Sequence, residues 1–243
     1  MGMPAAIEIV DEHVSRKDIN DVFSYFDSVD ERFSTYKSTS EISAINAGRL
    51  ALEAASEEMK EVFRLAEETK RQTNGYFDIR TPDGAYDPSG LVKGWAINKA
   101  GKILKGRGFK NFCLDVGGDI EACGTNALGK PWRVGVRDPL GREGIVKVVN
   151  VEDRGVATSG TYLRGQHIYD PHAPGAQLED IASLTVVGPD VYEADRFATA
   201  AFAMGQDGAA FIAGIDGLEC YMVGRDGIAT MTDGFKRYTN GYA

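Results

Sequence analysis

The spacing of the apolar residues changes about halfway along the chain, and this change constrains the fold more than any other feature. Before it, apolar residues recur every three or four positions, as in helices that bury one face. Three such apolar stripes occur, and each predicts a helix. The third helix is predicted to start near Gly90 and to end before Gly106 and Gly108. The three stripes are Ile19, Val22, Phe23, Phe26, Val29 and Phe33; Met59, Val62, Phe63 and Ala66; and Ala96, Ala100, Ile103 and Leu104.

From Asn111 onward the spacing approaches the alternation of β-strands. Five such segments are separated by turns that contain Gly, Asp or Pro: NFCLDV, DIEACG, WRVGVRD, GIVKVVNV and ASLTVVG. Helices are predicted at 192–204 and near 208–213, and a hairpin that turns at Asp226 and Gly227 follows them. Because helices and strands are segregated, the sequence predicts an α+β fold, with N-terminal helices packed on a mainly antiparallel sheet.

Length and composition bound the domain organisation and the partners. The 243 residues are 43% hydrophobic and contain no repeat, low-complexity tract or linker, so we expect a single domain spanning 1–243. A net charge of -9 argues against nucleic acid as a partner, and any phosphate ligand then needs local donors or a metal. Cys113, Cys123 and Cys220 are too few and too irregularly spaced for a disulfide framework or a zinc cluster.

The sequence contains no membrane or export signal. No run approaches the ~20 consecutive apolar residues of a transmembrane segment. The opening residues, MGMPAAIEIVDEHVSRKD, lack the basic and apolar regions of a signal peptide. These features predict a cytoplasmic protein, although a trimmed chain of an exported protein would look the same.

The segment YDPSGLVKGWAINKAGKIL places charged and small residues at the start of a predicted helix. Asp87, Ser89, Gly90 and Lys93 lie where unpaired backbone N–H groups and the helix dipole favour a phosphate. The alternative is that Ser89 caps a surface helix and Lys93 lies in water, and this segment alone favours that alternative.

In YEADRFATAAFAMG, Asp195 and Thr199 are four residues apart and share one helical face. A carboxylate and a hydroxyl in this arrangement suit a hard divalent cation such as Mg²⁺. The alternative, which the spacing alone favours, makes Asp195 a solvated charge and Thr199 a buried residue bonded to its own backbone.

Further polar groups and aromatic residues lie in four other segments. In GVATSGTYLRGQHIYDPHAPG, a turn is predicted at Thr158, Ser159 and Gly160, whose hydroxyls and amides could bind an anion. His167 in the same segment could transfer a proton near neutral pH. The alternative, an ordinary turn and a structural histidine, fits the sequence equally well. In LDVGGDIEACG, the paired glycines join two strands, so they predict a tight turn, with Asp119 bonded to nearby backbone, instead of a dinucleotide fingerprint. Aromatic residues that could flank a planar ring are Tyr36, Tyr76 and Phe77.

Eight segments follow one another between about residues 26 and 205: FSTYKSTSEISAIN, GYFDIRTP, DPSGLVKGWAIN, LDVGGDIEACG, PWRVGVRDP, ATSGTY, HIYDP and EADRFATAAFAMG. In composition and order they resemble the FAD:protein FMN transferase family, also called the ApbE family. The resemblance implies an ApbE-like fold with a ligand cleft between two lobes. It also implies Mg²⁺-dependent transfer of FMN from FAD to a Thr or Ser hydroxyl of an acceptor flavoprotein, with release of AMP.

The resemblance also implies a role for individual residues. Mg²⁺, or Mn²⁺ in its place, is expected at the Gly90 carbonyl, Asp195 and Thr199, and His167 is expected to take part in catalysis. The implied FAD contacts are Tyr36, Gly75, Tyr76, Phe77, Asp87, Lys93 and Tyr169.

The chain departs from the family pattern in two places. The lipoprotein signal of many relatives is absent, and DPHAPG replaces a DPRTG-like turn. Three alternatives remain open from the sequence. The same residues would serve an FAD diphosphatase that uses water as the acceptor, the chain could bind FAD without catalysis, or it could be an unrelated α+β protein.

Overall fold

The computed structural model describes residues 3–141, 143–160, 168–173, 175 and 177–239. The α-helices of these ranges are α1 (Arg16–Phe33), α2 (Glu41–Asn46), α3 (Glu57–Gln72), α4 (Ser89–Gly106), α5 (Val191–Ala203) and α6 (Gly208–Ala213). The strands are β1 (Ala5–Ile9), β2 (Phe112–Val116), β3 (Asp119–Cys123), β4 (Trp132–Arg137), β5 (Ile145–Val151), β6 (Arg154–Gly160), β7 (Ile181–Gly188), β8 (Glu219–Gly224) and β9 (Ala229–Met231). None of the helices in the described ranges is long and apolar enough to cross a membrane.

Seven strands form one sheet in the order β1-β2-β3-β6-β7-β8-β9, and every neighbouring pair is antiparallel. Strands β4 and β5 form a separate hairpin whose apolar side chains, including Trp132 and Val149, pack with Ile120 and Val156 of the large sheet. The alternating residues Phe112 and Leu114 of β2 are instead buried in the core formed with the helices. The sheet therefore lies between a helical layer and the hairpin, which confirms the predicted α+β class.

The helical stripes pack largely as predicted, and Phe23 is the residue of these stripes that is exposed. Val22, Phe26, Val29 and Phe33 of α1 are buried, at the three- and four-residue spacing of one helical face. Phe23 was expected in this stripe but is 38% exposed. It follows Val22 directly, and consecutive helical residues point about 100° apart, so Phe23 falls on the flank of the helix.

The predicted turn at Thr158, Ser159 and Gly160 is wrong. All three residues belong to β6, where they pair with residues 185, 184 and 183 of β7. The backbone of this segment therefore takes part in a strand ladder, while the Thr158 hydroxyl lies 2.9 Å from that of Thr185. Strand β1 was not predicted either, although its pairing with β2 places it at the edge of the sheet.

The paired glycines form the predicted tight turn between β2 and β3. Gly117 and Gly118 have φ values of +64° and +94°, a backbone conformation that glycine adopts without steric cost. Asp119 does not bond locally, as had been expected. Its carboxylate instead accepts a hydrogen bond from the Thr158 N–H of β6 at 3.2 Å, so it joins two strands that are distant in sequence.

Glu121 is a buried carboxylate that fastens α5 to the sheet. It accepts a hydrogen bond from the Val191 N–H at 2.8 Å and lies 3.7 Å from the Lys105 ammonium. Burial raises the pKa of Glu121 from 4.5 to about 7, and the nearby Asp190 carboxylate adds to the rise. The first turn of α5 is therefore held by a group that titrates near neutral pH.

Replacing Glu121 by Gln is expected to change the pH dependence of stability. The folded protein binds the proton of the Glu121 carboxyl group more tightly than the unfolded chain does. The stabilisation that results is therefore fully present below pH 4.5 and is lost as the pH rises through about 7. As the pH rises between those values, the free energy of unfolding of the variant should increase by on the order of 3 kcal/mol relative to that of the wild type. Urea denaturation of both proteins at pH 4.5 and 7.5 measures the gain, with Glu53→Gln as an exposed control. Parallel pH profiles of the Glu121 variant and the wild type would contradict the prediction.

Candidate active site

A cavity of about 1240 Å³ lies between the helical layer, the sheet and the β4–β5 hairpin. This volume exceeds the roughly 300–1,000 Å³ of ordinary small-molecule sites, so the cavity can hold a large ligand. Most of the residues singled out in the sequence line it: Tyr76, Phe77, Asp87, Gly90, Lys93, Thr158, Ser159, Gly160, Tyr169, Asp195 and Thr199. Segments that are more than 100 residues apart in the chain therefore meet around one space.

A lysine between two buried carboxylates forms the charged part of the cavity. The Lys93 Nζ lies 2.6 Å from Asp119 Oδ2 and 3.5 Å from Asp195 Oδ1. The second oxygen of Asp195 accepts a hydrogen bond from the Gly94 N–H at 2.8 Å. Both alternatives that placed Lys93 and Asp195 in solvent are therefore wrong, because Asp195 is only 3% exposed and Lys93 is paired.

Burial raises the pKa of Asp195 to about 7. The Lys93 ammonium opposes this rise, while the Asp119 carboxylate adds to it. Two carboxylates share one lysine here, so the cluster carries one more negative charge than positive charge when both acids are ionised. A cation beside Asp195 would favour its ionised form.

Two neutral oxygen atoms accompany this carboxylate. The Thr199 hydroxyl donates a hydrogen bond to the Gly90 carbonyl across the α4–α5 contact, with 3.3 Å between the oxygens. Thr199 lies one helical turn after Asp195, so both side chains are on the same face of α5, as predicted. The alternative in which Thr199 bonds to its own backbone is wrong. Among the described residues, no group of three or more His, Cys, Asp or Glu could hold a metal, so a cation at this site would also need these neutral oxygens.

The close approach of α4 and α5 depends on Gly94. A Cβ at this position would lie 2.6 Å from the Cβ of Asp195 and 2.7 Å from the Val191 carbonyl oxygen. Both distances are below normal van der Waals contact. The absence of a side chain at Gly94 therefore allows Asp195 to reach the start of α4.

The N-cap residue of α4 is Pro88, and the side chain that bonds to the start of the helix is that of Asp87. The Asp87 carboxylate accepts a hydrogen bond from the Ser89 N–H at 3.0 Å, and Ser89 is the first residue of the helix. The alternative in which the Ser89 side chain caps the helix is therefore wrong. Asp87, Ser89 and Gly90 all line the cavity, so this helix terminus is beside the space that a ligand would fill.

Aromatic side chains border the same space. The Tyr76 ring packs against His172, with 4.5 Å between the ring centroids, and the Tyr169 hydroxyl donates to the Arg80 carbonyl at 3.3 Å. The Asp170 carboxylate lies 3.2 Å from His172 Nδ1. His172 belongs to the divergent DPHAPG segment, which therefore contacts the loop that carries Tyr76.

Two of the predicted site residues that the structure describes, Tyr36 and Gly75, are not brought to the cavity. Tyr36 is 97% exposed and does not line it. Gly75 does not line it either, and a Cβ at this position would lie 3.2 Å from Nε2 of His172. His167 lies outside the described residues, so its predicted catalytic role stays a prediction.

Asp119 is the site residue whose importance the sequence did not indicate. It is 1% exposed, pairs with Lys93 and lines the cavity. An acidic residue directly after a paired-glycine turn is typical of a structural turn residue. No local pattern indicates that this carboxylate meets a lysine of α4.

The helical layer, the antiparallel sheet and the cleft between them define a known class of α+β protein. The chain is similar to the solved flavin transferase ApbE from Vibrio cholerae, with a TM-score of 0.86 and 22% identity over 98% of this chain and 96% of that one. It is also similar to the ApbE protein from Thermotoga maritima, with a TM-score of 0.87 and 20% identity; the match covers 99% of this chain and 97% of that one. At these identities, the likeness shows the fold.

Sequence comparison identifies the family. The profile of the ApbE family matches residues 1–83 and 80–222, so the chain belongs to the ApbE family. It is 30% identical over 166 residues to the FAD:protein FMN transferase of Klebsiella pneumoniae, covering 65% of this chain and 46% of that protein. It is 29% identical over 172 residues to the FAD:protein FMN transferase of Escherichia coli K12, and the match covers 67% of this chain and 48% of that protein. The matched region therefore spans about half the length of these relatives.

Proposed function

We propose that this protein transfers FMN from FAD to a Thr or Ser hydroxyl of an acceptor flavoprotein and releases AMP. The names of the relatives support this reaction. The observation that carries it is the cluster of Lys93, Asp119 and Asp195 beside the Gly90 carbonyl and the Thr199 hydroxyl, in a cavity large enough for a dinucleotide.

The oxygen atoms of the cluster fit a hard divalent cation. A buried carboxylate, a hydroxyl and a carbonyl are ligands that Mg²⁺ accepts, and Mn²⁺ has similar preferences. The raised pKa of Asp195 is consistent with a carboxylate whose charge is balanced by a ligand. Gly90, Asp195 and Thr199 are therefore the residues that would hold the metal, which would supply neutralisation of phosphate charge when bound.

The residues of the chain then have separate roles around the diphosphate. Lys93 supplies a positive charge, and its pairing with Asp119 holds the ammonium beside Asp195. The first turn of α4, next to Gly90, presents backbone N–H groups to an anion. These fixed charges stabilise the charge that develops on phosphorus and on the departing AMP.

The aromatic side chains and the histidine complete the proposed mechanism. Tyr76, Phe77 and Tyr169 line the cavity and offer ring faces and edges to the isoalloxazine or adenine ring. The acceptor hydroxyl attacks the FMN phosphorus, and its proton passes to a base, for which His167 is the proposed residue. Exclusion of water from this position would favour transfer over hydrolysis.

Incubation with FAD and Mg²⁺ is expected to release AMP only when an acceptor protein is added. A candidate flavoprotein with an accessible Thr, purified without flavin, serves as the acceptor. Mass spectrometry should show that it gains the mass of one FMN, in an amount equal to the AMP released. The same flavoprotein with this Thr replaced by Val is the matched control.

The other outcomes identify the alternative functions. Rapid AMP release without an acceptor, accompanied by free FMN, would show that the protein is an FAD diphosphatase. Tight binding of intact FAD with no AMP under either condition would show a non-catalytic flavin-binding protein. A melting temperature unchanged by saturating FAD and Mg²⁺ would contradict both the proposed site and these alternatives.

A further inference from the structure

The cavity extends beyond the lysine cluster along two strands that have a free edge. In the described part of the chain, β1 pairs only with β2, and β4 pairs only with β5. A free edge presents a row of unpaired N–H and C=O groups, to which another extended chain can bind.

The lining residues show that both of these edges border the cavity. All residues of β4, from 132 to 137, line the cavity, as do all residues from 3 to 8 at β1. Because successive side chains of a strand point to opposite faces, a cavity that touches every residue runs along the strand edge. On β2, by contrast, only the alternate residues Cys113 and Asp115 line the cavity, so it touches one face of that strand. The cavity therefore has the edge of β4 as one wall, the edge of β1 as another and the face of β2 as a floor.

Two arginines give the β4 wall a positive charge. Arg133 and Arg137 are exposed and lie on the same face of β4, at the first and last of three alternating positions. Within the ranges that the structure describes, neither guanidinium lies within 4.0 Å of a carboxylate oxygen. Four residues of a strand span about 13 Å, so the two charges could pair with carboxylates at a matching separation. In a protein with a net charge of -9, these arginines favour an acidic occupant.

We propose that the edge of β4 binds an extended segment of the acceptor protein as a third strand of the β4–β5 hairpin, with Arg133 and Arg137 facing two carboxylates of that segment. This inference rests on the proposed function, which requires a protein hydroxyl to reach the site of Lys93 and Asp195. The added strand would lie over the β2 floor, in the same cavity as those residues. A polypeptide fits this edge because its backbone repeats the donors and acceptors of a strand, whereas a dinucleotide does not.

The spacing of the arginines defines the first test. Two twelve-residue peptides of identical composition, each with one Thr, carry two Asp residues either four or three positions apart. With FAD and Mg²⁺, the peptide with the four-residue spacing should accept FMN with a kcat/KM about three- to tenfold higher, because only this spacing puts both carboxylates on one face of a strand. In the double variant Arg133→Gln, Arg137→Gln, the two peptides should react equally, and the KM for FAD should not change.

A second measurement detects binding without chemistry. The same peptides with Thr replaced by Val are added at millimolar concentration to the protein with FAD and Mg²⁺, and amide hydrogen exchange is followed. The peptide with the four-residue spacing should slow exchange of amides in residues 132–137 at least threefold more than the other peptide, and this difference should disappear in the double variant.

The two measurements separate the inference from the function on which it rests. Slowed exchange without FMN transfer to either peptide would contradict the proposed function and retain the β4 edge as a peptide-binding site. Transfer to both peptides at equal rates, with exchange at β4 unchanged, would overturn the β4 proposal while the function stands. An increased KM for FAD in the double variant would assign the arginines to the dinucleotide and would also overturn the proposal.

Discussion

Replacing Asp195 by Asn is expected to lower FMN transfer at least about 100-fold while the protein stays folded. Asn has the shape of Asp, and its carbonyl oxygen can still accept the hydrogen bond of the Gly94 N–H. The Lys93 ammonium keeps Asp119 as a partner. The variant therefore removes the negative charge beside Gly90 and Thr199 with little change in packing.

The effect on stability should be opposite to the effect on activity. Burial raises the pKa of Asp195 to about 7, which means that the ionised carboxylate is unfavourable in the protein without a bound cation. At pH 8, the metal-free Asn variant should melt at the same temperature as the metal-free wild type or at a higher one. Addition of Mg²⁺ should raise the melting temperature of the wild type and leave that of the variant unchanged.

Melting curves with and without millimolar Mg²⁺, together with AMP and FMN assays, test this expectation. Asp207→Asn removes an exposed carboxylate that does not line the cavity, and it should behave like the wild type in both assays. If the Asp195 variant keeps its response to Mg²⁺ and its activity, Asp195 is not a metal ligand.

Replacing Gly94 by Ala is expected to separate α4 from α5 and to disable the site. The new methyl group would lie 2.7 Å from the Val191 carbonyl oxygen, which is backbone and cannot rotate away. Overpacking of this kind lowers the free energy of unfolding by about 1–3 kcal/mol. Because Gly90 and Asp195 are on the two helices that must move apart, transfer should fall by about 100-fold or more.

A second glycine of the same helix provides the matched control. In the described part of the chain, no atom outside the neighbouring helical backbone lies within 4 Å of the position that a Cβ would take at Gly106, at the end of α4. Gly106→Ala should therefore leave activity unchanged and stabilise the protein by up to about 1 kcal/mol, since Ala restricts the unfolded chain. Urea denaturation and the FMN transfer assay compare the two variants. Equal stability and activity of the Gly94 and Gly106 variants would show that the helix contact does not position the site.

Most strands and all the described α-helices except α2 could be predicted because their residues carry local patterns. The stripe of α1, the end of α4 near Gly106 and the alternation in β2 each depend on residues within one element. Strands β1 and β6 were missed or misassigned because their strand character depends on pairing with distant partners. Ser159 and Gly160 look like turn residues until the ladder with β7 is known.

The resemblance predicted that Gly90, Asp195 and Thr199 would meet at one metal site, but it did not predict the contacts that hold this site together. The family resemblance selected Gly90, Lys93, Asp195 and Thr199 at their positions in the sequence. It gave no reason to place Asp119 against Lys93, or to expect the Thr199 hydroxyl to bond to the Gly90 carbonyl. Such contacts depend on how α4, α5 and β3 pack together, and no spacing within a single segment reports this packing.

Strand β3 carries two buried acids in alternate positions, and together they connect the sheet to α4 and α5. Asp119 pairs with Lys93 of α4, while Glu121 accepts from the first residue of α5. Between them, Ile120 points to the hairpin side. Insertion or deletion of one residue between these acids would turn one of them to the opposite face of the sheet. Across the family, we therefore expect loops to vary in length while this two-residue interval stays constant.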